Sequence, residues 1–435
     1  MNTMVKETTA HKHEAVSTPT EYASADDSPE SFPDGGLHAW LVVLGSWCAC
    51  LPSFGLMNST GVFADWLSTN LLSEYSHSSI SWIFSVYMFF LLVGGVQFGP
   101  IFDRYGPKHL LVFGTIGLTT AVMAFSVSKE YYQFMLGFGV LGGISASMVF
   151  TPSVSVVNHW FYTGRALATG IVATAGSIGG IIFPQIFNAL VSSAGFGWAI
   201  RTLGIITLTL CSTGALLQRS RLEHRKTSRR TVDFRPLCEP VFTLTTLAIM
   251  FADIGATIPL TYLTSYARAN GMTITQSYTL MSILNATSIL GRLLPGYAAD
   301  HYGRFNAMVV TTAVSGILSL SLWLKAGSNG AAINSYAALF GFWSGSAISL
   351  SPVCVAQISN TEDFGKRYGT AYIFVALGVL VSLPIAGEIL NVQSSDGVEK
   401  YWGLILFCGL AYMVSVVLFV CARGLGTRWA VRKIY

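Results

Sequence analysis

The chain has 435 residues, of which 52% are hydrophobic and only 11% are charged. Soluble domains carry about 25% charged residues, so this composition excludes an ordinary water-soluble protein and indicates a chain that lies in lipid. The formal net charge of +4 does not indicate a nucleic-acid partner, because most lysines and arginines lie in short segments between apolar runs.

The first 37 residues are polar and lack the apolar core of a signal peptide, so 1–37 is predicted to be a disordered cytosolic tail. Six apolar runs of about 20 residues follow, each long enough to cross a bilayer as a helix. They make up the predicted first bundle, 38–217, and lie at 39–64, 80–101, 109–128, 131–157, 166–191 and 198–217.

A basic linker, 218–240, separates this set from six more apolar runs in 241–422, and 423–435 is predicted to be a cytosolic tail. The runs of the second set lie at 241–266, 275–298, 306–326, 331–358, 368–391 and 400–422. The predicted fold class is therefore an all-α membrane protein with twelve transmembrane helices in two pseudo-symmetric six-helix bundles.

Lysine and arginine placement predicts the orientation of these helices. With the N-terminus in the cytosol, most of the 25 basic residues fall in cytosolic segments, as the positive-inside rule requires. Both termini are therefore predicted to be cytosolic, and the plasma membrane is the predicted location. The basic linker is interpreted as a topology anchor next to anionic lipid head groups, not as a nucleic-acid site.

A charged turn occurs once in each half, after the second apolar run of that half. Its residues are Asp103, Arg104, Gly106 and Lys108 in the first half, and Asp300, Gly303 and Arg304 in the second. The glycines allow the left-handed turn that ends a helix, and the charges can bridge to neighbouring helix ends. We interpret the two turns as a cytosolic gate; the alternative is a helix cap combined with a positive-inside anchor.

These turns resemble the signature Gly-x-x-x-Asp-Arg-x-Gly-Arg-Arg/Lys of the major facilitator superfamily. The first copy departs at Pro107, and the second has His301 where the signature has arginine. The resemblance implies two six-helix halves that move solutes by alternating access. Matching prolines at 152 and 352, and at 184 and 384, agree with a duplicated bundle.

Further segments resemble the fungal branch of the monocarboxylate-transporter-like group. They are Asp34-Gly35-Gly36 with Trp40, the block from Trp160 to Gly180, and Gly291-Arg292 through Asp300 to Asn306. In that group the arginine of the last segment has an aspartate one turn earlier, and the pair is implicated in coupling protons to anion transport. This chain has Ser288 at the aspartate position, and Asn58 where the group has a helix-one lysine.

Arg292 lies within an apolar run, about 12 Å along the helix from Asp300. A cation at this depth costs at least about 2.5–3.5 kcal/mol unless it faces a polar environment, so we predict that it binds an anionic substrate. The alternative is an arginine that extends to the cytosolic surface or anchors the gate. Other predicted substrate-binding residues are polar or aromatic side chains within the runs: Asn58, Asn285, Ser288, Tyr262 and Tyr372.

Two carboxylates are candidates for proton coupling. Asp253 lies among apolar residues in the seventh run, where burial favours the protonated form, and Glu388 lies near the outer end of the eleventh run. The alternatives for Asp253 are an ion pair with Arg292 or a structural hydrogen bond.

Neither a nucleotide-binding glycine loop nor a metal-ligand spacing of cysteines and histidines is present in the sequence, so we expect no cofactor and no metal. The predicted function is secondary active transport of a small organic solute, an organic anion or a secondary metabolite, with a slight preference for efflux. Proton-coupled uptake of a monocarboxylate or a vitamin is the alternative, and a membrane sensor or a membrane enzyme is less favoured. The expected partners are the substrate, the bilayer and protons, and the expected state is a monomer.

Overall fold

A computed structural model describes residues 35–157, 159–161, 165–221, 234–359, 364–394 and 400–428, and the described chain is almost entirely helical. In the first half the helices are α1 (Gly36–Asn58), α2 (Thr60–Thr69), α3 (His77–Tyr105), α4 (Pro107–Val127), α5 (Tyr131–Phe134), α6 (Gly143–Val157) and α7 (Arg165–Leu217). In the second half they are α8 (Pro240–Ala269), α9 (Ile274–Tyr302), α10 (Arg304–Leu318), α11 (Leu324–Ala326), α12 (Gly330–Gln357), α13 (Phe364–Gln393) and α14 (Trp402–Thr427).

Short non-α segments continue several of these helices. A π-helix, Met135–Gly142, joins α5 to α6, and a second, Ser319–Trp323, joins α10 to α11. Each joined set therefore forms one membrane-length helix. A 3₁₀ helix, Arg235–Cys238, precedes α8.

Ten of the described helices are long and apolar enough to cross a membrane. One of them, α7, contains Gly195 with φ 81° and ψ 168°, a non-helical conformation at which two crossings meet. The more polar α9 supplies the remaining crossing, with 29 residues packed beside the others. The predicted fold class, an all-α membrane protein with twelve transmembrane helices in two bundles, is confirmed.

The predicted run 39–64 is two helices rather than one. The chain leaves α-helical geometry at Ser59, whose φ is −98° and ψ is 1°. Its hydroxyl donates to the carbonyl of Gly55 at 2.7 Å, which satisfies an acceptor next to the break. The short α2 that follows is held by Phe63, a fully buried ring in edge contact with Phe125 and Phe187.

The two halves use the same local devices at equivalent places. In α3 and α9 the first residue is preceded by a hydroxyl cap, because Ser76 and Thr273 accept from backbone N–H groups three residues later. Both helices end at a glycine with positive φ, 76° at Gly106 and 95° at Gly303. These two glycines mark one end of the molecule, which we call the glycine-turn face.

Close packing between helices also repeats. A Cβ added to Gly143 of α6 would lie 2.6 Å from the Tyr87 carbonyl oxygen of α3, and one added to Gly345 of α12 would lie 2.8 Å from the Ser288 carbonyl oxygen of α9. Each glycine therefore lets the fourth crossing of its half touch the backbone of the second.

Most of the predicted tail 1–37, much of the linker 218–240 and the end of the tail 423–435 lie outside the described residues. Those predicted segments stay predictions.

Candidate functional site

The two halves meet along α7 and α9, which run antiparallel and are joined by polar contacts at successive turns. We call this interface the α7–α9 seam. At the first step along the seam, Gln185 Nε2 donates to Ser282 Oγ at 2.9 Å, and at the second, Asn285 Nδ2 donates to the Gly180 carbonyl at 3.4 Å. At the third step the Ser177 and Ser288 hydroxyls lie 2.8 Å apart. At the fourth, Arg292 Nη1 donates to the Ala173 carbonyl.

Small residues of α7 make this close approach possible. A Cβ on Gly180 would lie 2.6 Å from the Asn285 amide of α9, and a Cβ on Gly179 would lie 2.6 Å from Gly55 of α1. α7 is therefore pressed between α1 of its own half and α9 of the other half.

Three predicted substrate residues make hydrogen bonds at or beside this helix. Asn58 is 2% exposed and donates to the Gly176 carbonyl at 2.9 Å, within the first half. Asn285 also donates to the Met281 carbonyl at 2.8 Å, and Ser288 to the Asn285 carbonyl at 2.8 Å. The structure brings these side chains together around α7 but engages them in helix contacts, so their role toward a substrate stays a prediction.

Arg292 occupies the last step of the seam. It is 7% exposed, and among the described residues it donates to one carbonyl while its buried Nε has no hydrogen-bond partner. A buried guanidinium carries five N–H donors and is costly to leave unpaired, so this site favours an additional acceptor with negative charge. Extension of Arg292 to the membrane surface, the alternative interpretation, is not what the structure shows.

Asp253 lies in the middle of α8, half-buried. α13 packs against α8, where the Thr257 and Ser382 hydroxyls lie 3.5 Å apart. Nearer the start of α13, the Tyr368 and Tyr372 rings lie 4.2 Å apart between centroids with a tilt of 33°. Neither a hydrogen bond nor an ion pair, including one to Arg292, engages Asp253 among the described residues. Asp253 is thus a half-buried carboxylate without a hydrogen-bond partner in the described part of the chain.

Tyr262 takes part in a different contact, between α3 and α13. Its hydroxyl is hydrogen-bonded to the Ser81 hydroxyl and donates to the Leu383 carbonyl at 3.1 Å. Nearby, Ser78 Oγ donates to the Pro384 carbonyl at 2.9 Å. Because these bonds join α3 of one half to α8 and α13 of the other, Tyr262 helps to hold the halves together.

An ion pair that was not predicted from the sequence lies at the same end of the molecule. Arg268 Nη1 of α8 lies 2.6 Å from Asp65 Oδ2 of α2, and the Tyr278 hydroxyl of α9 donates to that oxygen at 3.3 Å. Only 3% of the Asp65 side chain is exposed, against 28% for Arg268. We call these three residues the clasp, and the end of the molecule that they occupy the clasp face.

Burial raises the pKa of the Asp65 carboxyl, and hydrogen bonds and charge from Arg268 and Tyr278 oppose that rise without cancelling it. For the Asp65 carboxyl, loss of hydration is therefore the larger effect, and the attraction to Arg268 offsets part of it. Such a pair specifies one arrangement of the halves at little net gain in stability.

The predicted gate lies at the opposite end, the glycine-turn face. Gly106 and Gly303 have the predicted left-handed backbone, Arg104 and Lys108 are exposed, and Arg304 is half-buried. The side chains of Asp103 and Asp300 lie outside the described part of the structure, so the gate stays a prediction.

Glu388, the second predicted proton-coupling residue, is exposed and accepts from Asn391 Nδ2 at 3.3 Å. It lies on the α13 face that carries the exposed apolar residues Leu377, Val381 and Ile385. By helical geometry Tyr372 lies on the opposite face of α13, toward the other helices. Asp253 and not Glu388 is therefore placed toward the interior.

A surface pocket of about 290 Å³ lies at the clasp face, where residues of the turn 270–272 and of α9 and α12 line it. Its described lining contains polar and apolar residues but no charged side chain. It lies about 20 Å or more from Arg292 along α9 and is separate from the seam.

Comparison with known proteins identifies relatives that match most of the chain. Residues 42–337 match the family model of the Major Facilitator Superfamily. The riboflavin transporter MCH5 of Saccharomyces cerevisiae is 35% identical over 430 residues, which cover 93% of this chain and 82% of that protein. The fujikurins efflux protein of Gibberella fujikuroi is 35% identical over 420 residues, which cover 96% of this chain and 88% of that protein.

The fold has a counterpart among solved structures. A mutant of the nucleoside transporter NupG superposes with a TM-score of 0.71 at 11% identity, covering 88% of this chain and 99% of that one. At this identity the likeness concerns the fold alone.

Proposed function

This chain belongs to the major facilitator superfamily of membrane transporters, and from that premise we propose that it exports an organic anion or an acidic secondary metabolite by alternating access. The fold is that of a secondary transporter, in which a solute binds near mid-membrane between two halves that rock about it. The energy source is then a gradient of the solute or of protons.

The environment of Arg292 is the observation that supports an anionic substrate. It lies about 21 Å along α9 from Tyr278 of the clasp, near the middle of the helix and between the two halves. Within the part of the chain that the structure describes, a single carbonyl accepts from it and its Nε has no acceptor. A carboxylate or enolate oxygen of a solute would supply the missing charge-assisted partner.

The clasp and the seam support alternating access. Hydrogen bonds between the halves cluster toward the clasp face, where Asp65, Ser78 and Ser81 contact the second half. We assign this conformation to a state closed at the clasp face. Opening that face requires these contacts to break, which gives a second state with different contacts.

The orientation, the location and the domain bounds are part of the proposal. We place both termini in the cytosol, so that the clasp face is extracellular and the glycine-turn face is cytosolic, and we propose the plasma membrane. The linker 218–240 would connect the bundles 38–217 and 241–422. We propose a monomer, since each bundle pair encloses its own seam.

Within the superfamily we place the chain in the fungal monocarboxylate-transporter-like group. The Gly291-Arg292 segment and the block from Trp160 to Gly180 support this placement, and both contribute to the seam. Ser288 replaces the aspartate that this group pairs with arginine, and here its hydroxyl bonds Ser177 instead. We therefore propose that proton coupling, where it occurs, uses Asp253.

Efflux is preferred over uptake because a relative that is 35% identical is an efflux protein for fujikurins. The second candidate is uptake of a vitamin, since a relative of the same identity transports riboflavin. Export and uptake by this fold use the same interface between the halves, and the two directions differ in the gradient that drives transport.

The test is transport by purified protein in liposomes loaded with a mixture of organic acids, with release followed by mass spectrometry. Wild-type protein is expected to release a subset of acids, and Arg292→Gln to lose that release by tenfold or more, while Arg292→Lys keeps part of it. Arg201→Gln is the matched control, because Arg201 lies over the Trp198 ring, away from the seam. Normal release by Arg292→Gln would overturn the anion site, and no release of any acid by wild type would overturn the proposed substrate class.

A further inference from the structure

The two donors of the clasp that hold the Asp65 carboxylate both belong to the second half of the molecule. Arg268 Nη1 lies 2.6 Å from Asp65 Oδ2, and the Tyr278 hydroxyl donates to the same oxygen at 3.3 Å. Arg268 lies in the last turn of α8, and Tyr278 lies near the start of α9, the next helix of the same half. A guanidinium beside a phenol hydroxyl is a favourable place for a carboxylate, whichever molecule supplies it.

The Asp65 carboxylate itself belongs to the first half, because aromatic rings anchor α2 there. Phe63 is in edge contact with Phe125, and the Trp66 ring stacks on that of Phe196 with centroids 4.3 Å apart. When the clasp face opens, α2 must therefore leave with the first half. The guanidinium and the phenol stay together on the second half, without the carboxylate that they bind in the closed arrangement.

The departure of α2 also uncovers two hydroxyls of α8. Thr261, Thr264 and Arg268 occupy positions i, i+3 and i+7, so their side chains share one face of this helix. Gly61 of α2 covers that face, since a Cβ added to it would lie 3.3 Å from Thr264 Oγ1 and 3.2 Å from the Thr261 carbonyl oxygen. Thr261 is 1% exposed and Thr264 is 0% exposed.

Neither of these hydroxyls has a hydrogen-bond partner among the described residues. Threonines in helices commonly donate to the carbonyl four residues earlier, as Thr245 of α8 does to the Val241 carbonyl at 2.7 Å. A hydroxyl that is buried without such a bond has lost its hydration and gained nothing in return. Thr261 and Thr264 therefore favour a partner that arrives when the clasp face opens, which is water or a solute.

We propose that the polar groups of the second half that α2 covers form an outer anion site. It binds the acidic group of the solute when the clasp face is open, and Asp65 occupies it when that face is closed. The residues of the outer anion site are Thr261, Thr264, Arg268 and Tyr278.

This inference rests on the proposed export of an organic anion and adds a second site to it, about 21 Å along α9 from Arg292. The solute and Asp65 compete for the same donors. Closure of the clasp therefore expels the solute from the clasp face, and a bound solute delays closure.

The experiment measures binding to the outer anion site after its internal competitor has been removed. The probes are 4-fluorobenzoate and its uncharged analogue 4-fluorobenzamide, titrated against the full chain in lipid nanodiscs by fluorine magnetic resonance. All proteins carry Arg292→Gln, which removes the proposed central anion site. In this background Asp65→Asn is expected to strengthen 4-fluorobenzoate binding about tenfold or more and to leave 4-fluorobenzamide binding unchanged.

Variants of the donors show which groups bind the probe. Addition of Arg268→Gln is expected to remove the gain, and Arg268→Lys to keep part of it. Thr264→Val is expected to weaken 4-fluorobenzoate binding about threefold or more, because a hydrogen bond to the anion is lost. The same change is expected to keep or raise the melting temperature without probe, since the hydroxyl that it removes has no partner among the described residues.

The matched control replaces Asp65→Asn by Glu74→Gln, which removes an exposed carboxylate in the turn before α3 and is expected to give no gain. Three results overturn the outer anion site: no gain in 4-fluorobenzoate binding with Asp65→Asn, a gain that persists after Arg268→Gln, and an equal gain for 4-fluorobenzamide. The liposome release experiment tests the proposed function separately. Loss of release in Arg292→Gln leaves that function standing even where the outer anion site fails.

Discussion

Asp65 and Arg268 join the two halves of the molecule through a contact of 2.6 Å between Oδ2 and Nη1. The carboxylate comes from a ten-residue helix that follows the first crossing, and the guanidinium comes from the last turn of the seventh. The attraction between the two charges therefore depends on how the two halves are positioned relative to each other. Because burial of Asp65 opposes the attraction, the pair can select a closed arrangement without locking it.

Removal of the Asp65 charge is expected to open the clasp face. In Asp65→Asn the attraction to Arg268 is lost, while Arg268 stays partly hydrated, so the closed state loses about 1–3 kcal/mol. That corresponds to a shift of about fivefold to 150-fold toward the open state. Spin labels at Thr69 and Ala269, in a background in which exposed Cys238 is replaced by serine, would report a longer distance by pulsed electron resonance.

Two further variants show whether charge is the cause. Tyr278→Phe removes one hydrogen bond and keeps the ion pair, so its shift is expected to be clearly smaller than that of Asp65→Asn. The exchange of both charges, Asp65→Arg with Arg268→Asp, should restore part of the short-distance population. Identical distance distributions in wild type and Asp65→Asn would rule out the clasp as a determinant of closure.

Packing at the repeated glycines gives a prediction about stability. Alanine at Gly143 would press its Cβ within 2.6 Å of the Tyr87 carbonyl, so α3 and α6 must separate. We expect the apparent melting temperature in detergent to fall, because this overpacking costs about 1–3 kcal/mol of folding free energy. Alanine at Gly99 of α3, where the added Cβ meets nothing within 4 Å, is expected to be neutral or stabilising by up to about 1 kcal/mol. Equal melting temperatures for Gly143→Ala and wild type would show that this contact is loose.

The number and length of the crossings could be predicted from the sequence because a bilayer imposes a minimum apolar length on every helix. The helix ends at Gly106 and Gly303 can also be predicted from the sequence, because only a residue that tolerates positive φ fits at these positions. The sequence alone does not predict which helices contact each other. Asn58 was expected to line the substrate path, but a polar side chain within a helix can meet either a solute or a neighbouring backbone, and here it meets the Gly176 carbonyl.

The clasp shows the same limit more sharply. Asp65 and Arg268 both lie near ends of predicted runs, where isolated charges are common, and no spacing along the chain relates them. Only the packing of α2 against α8 places them together. Arg292 was found because its cost in lipid is independent of its partners, whereas the α7–α9 contacts that surround it depend on how the two halves dock.

The α7–α9 seam provides a direct test of rocking between the halves. The Ser177 and Ser288 hydroxyls lie 2.8 Å apart on opposite halves, so cysteines at both positions are close enough for a disulfide. Oxidised Ser177→Cys/Ser288→Cys protein is expected to stop transport in liposomes and to recover it after reduction, because a covalent bridge prevents the two halves from separating at this step. Ser177→Cys alone, treated with the same oxidant, controls for damage to native cysteines. Full transport by the bridged protein would mean that this part of the seam does not separate during the cycle, and that the halves move about it as a fixed hinge.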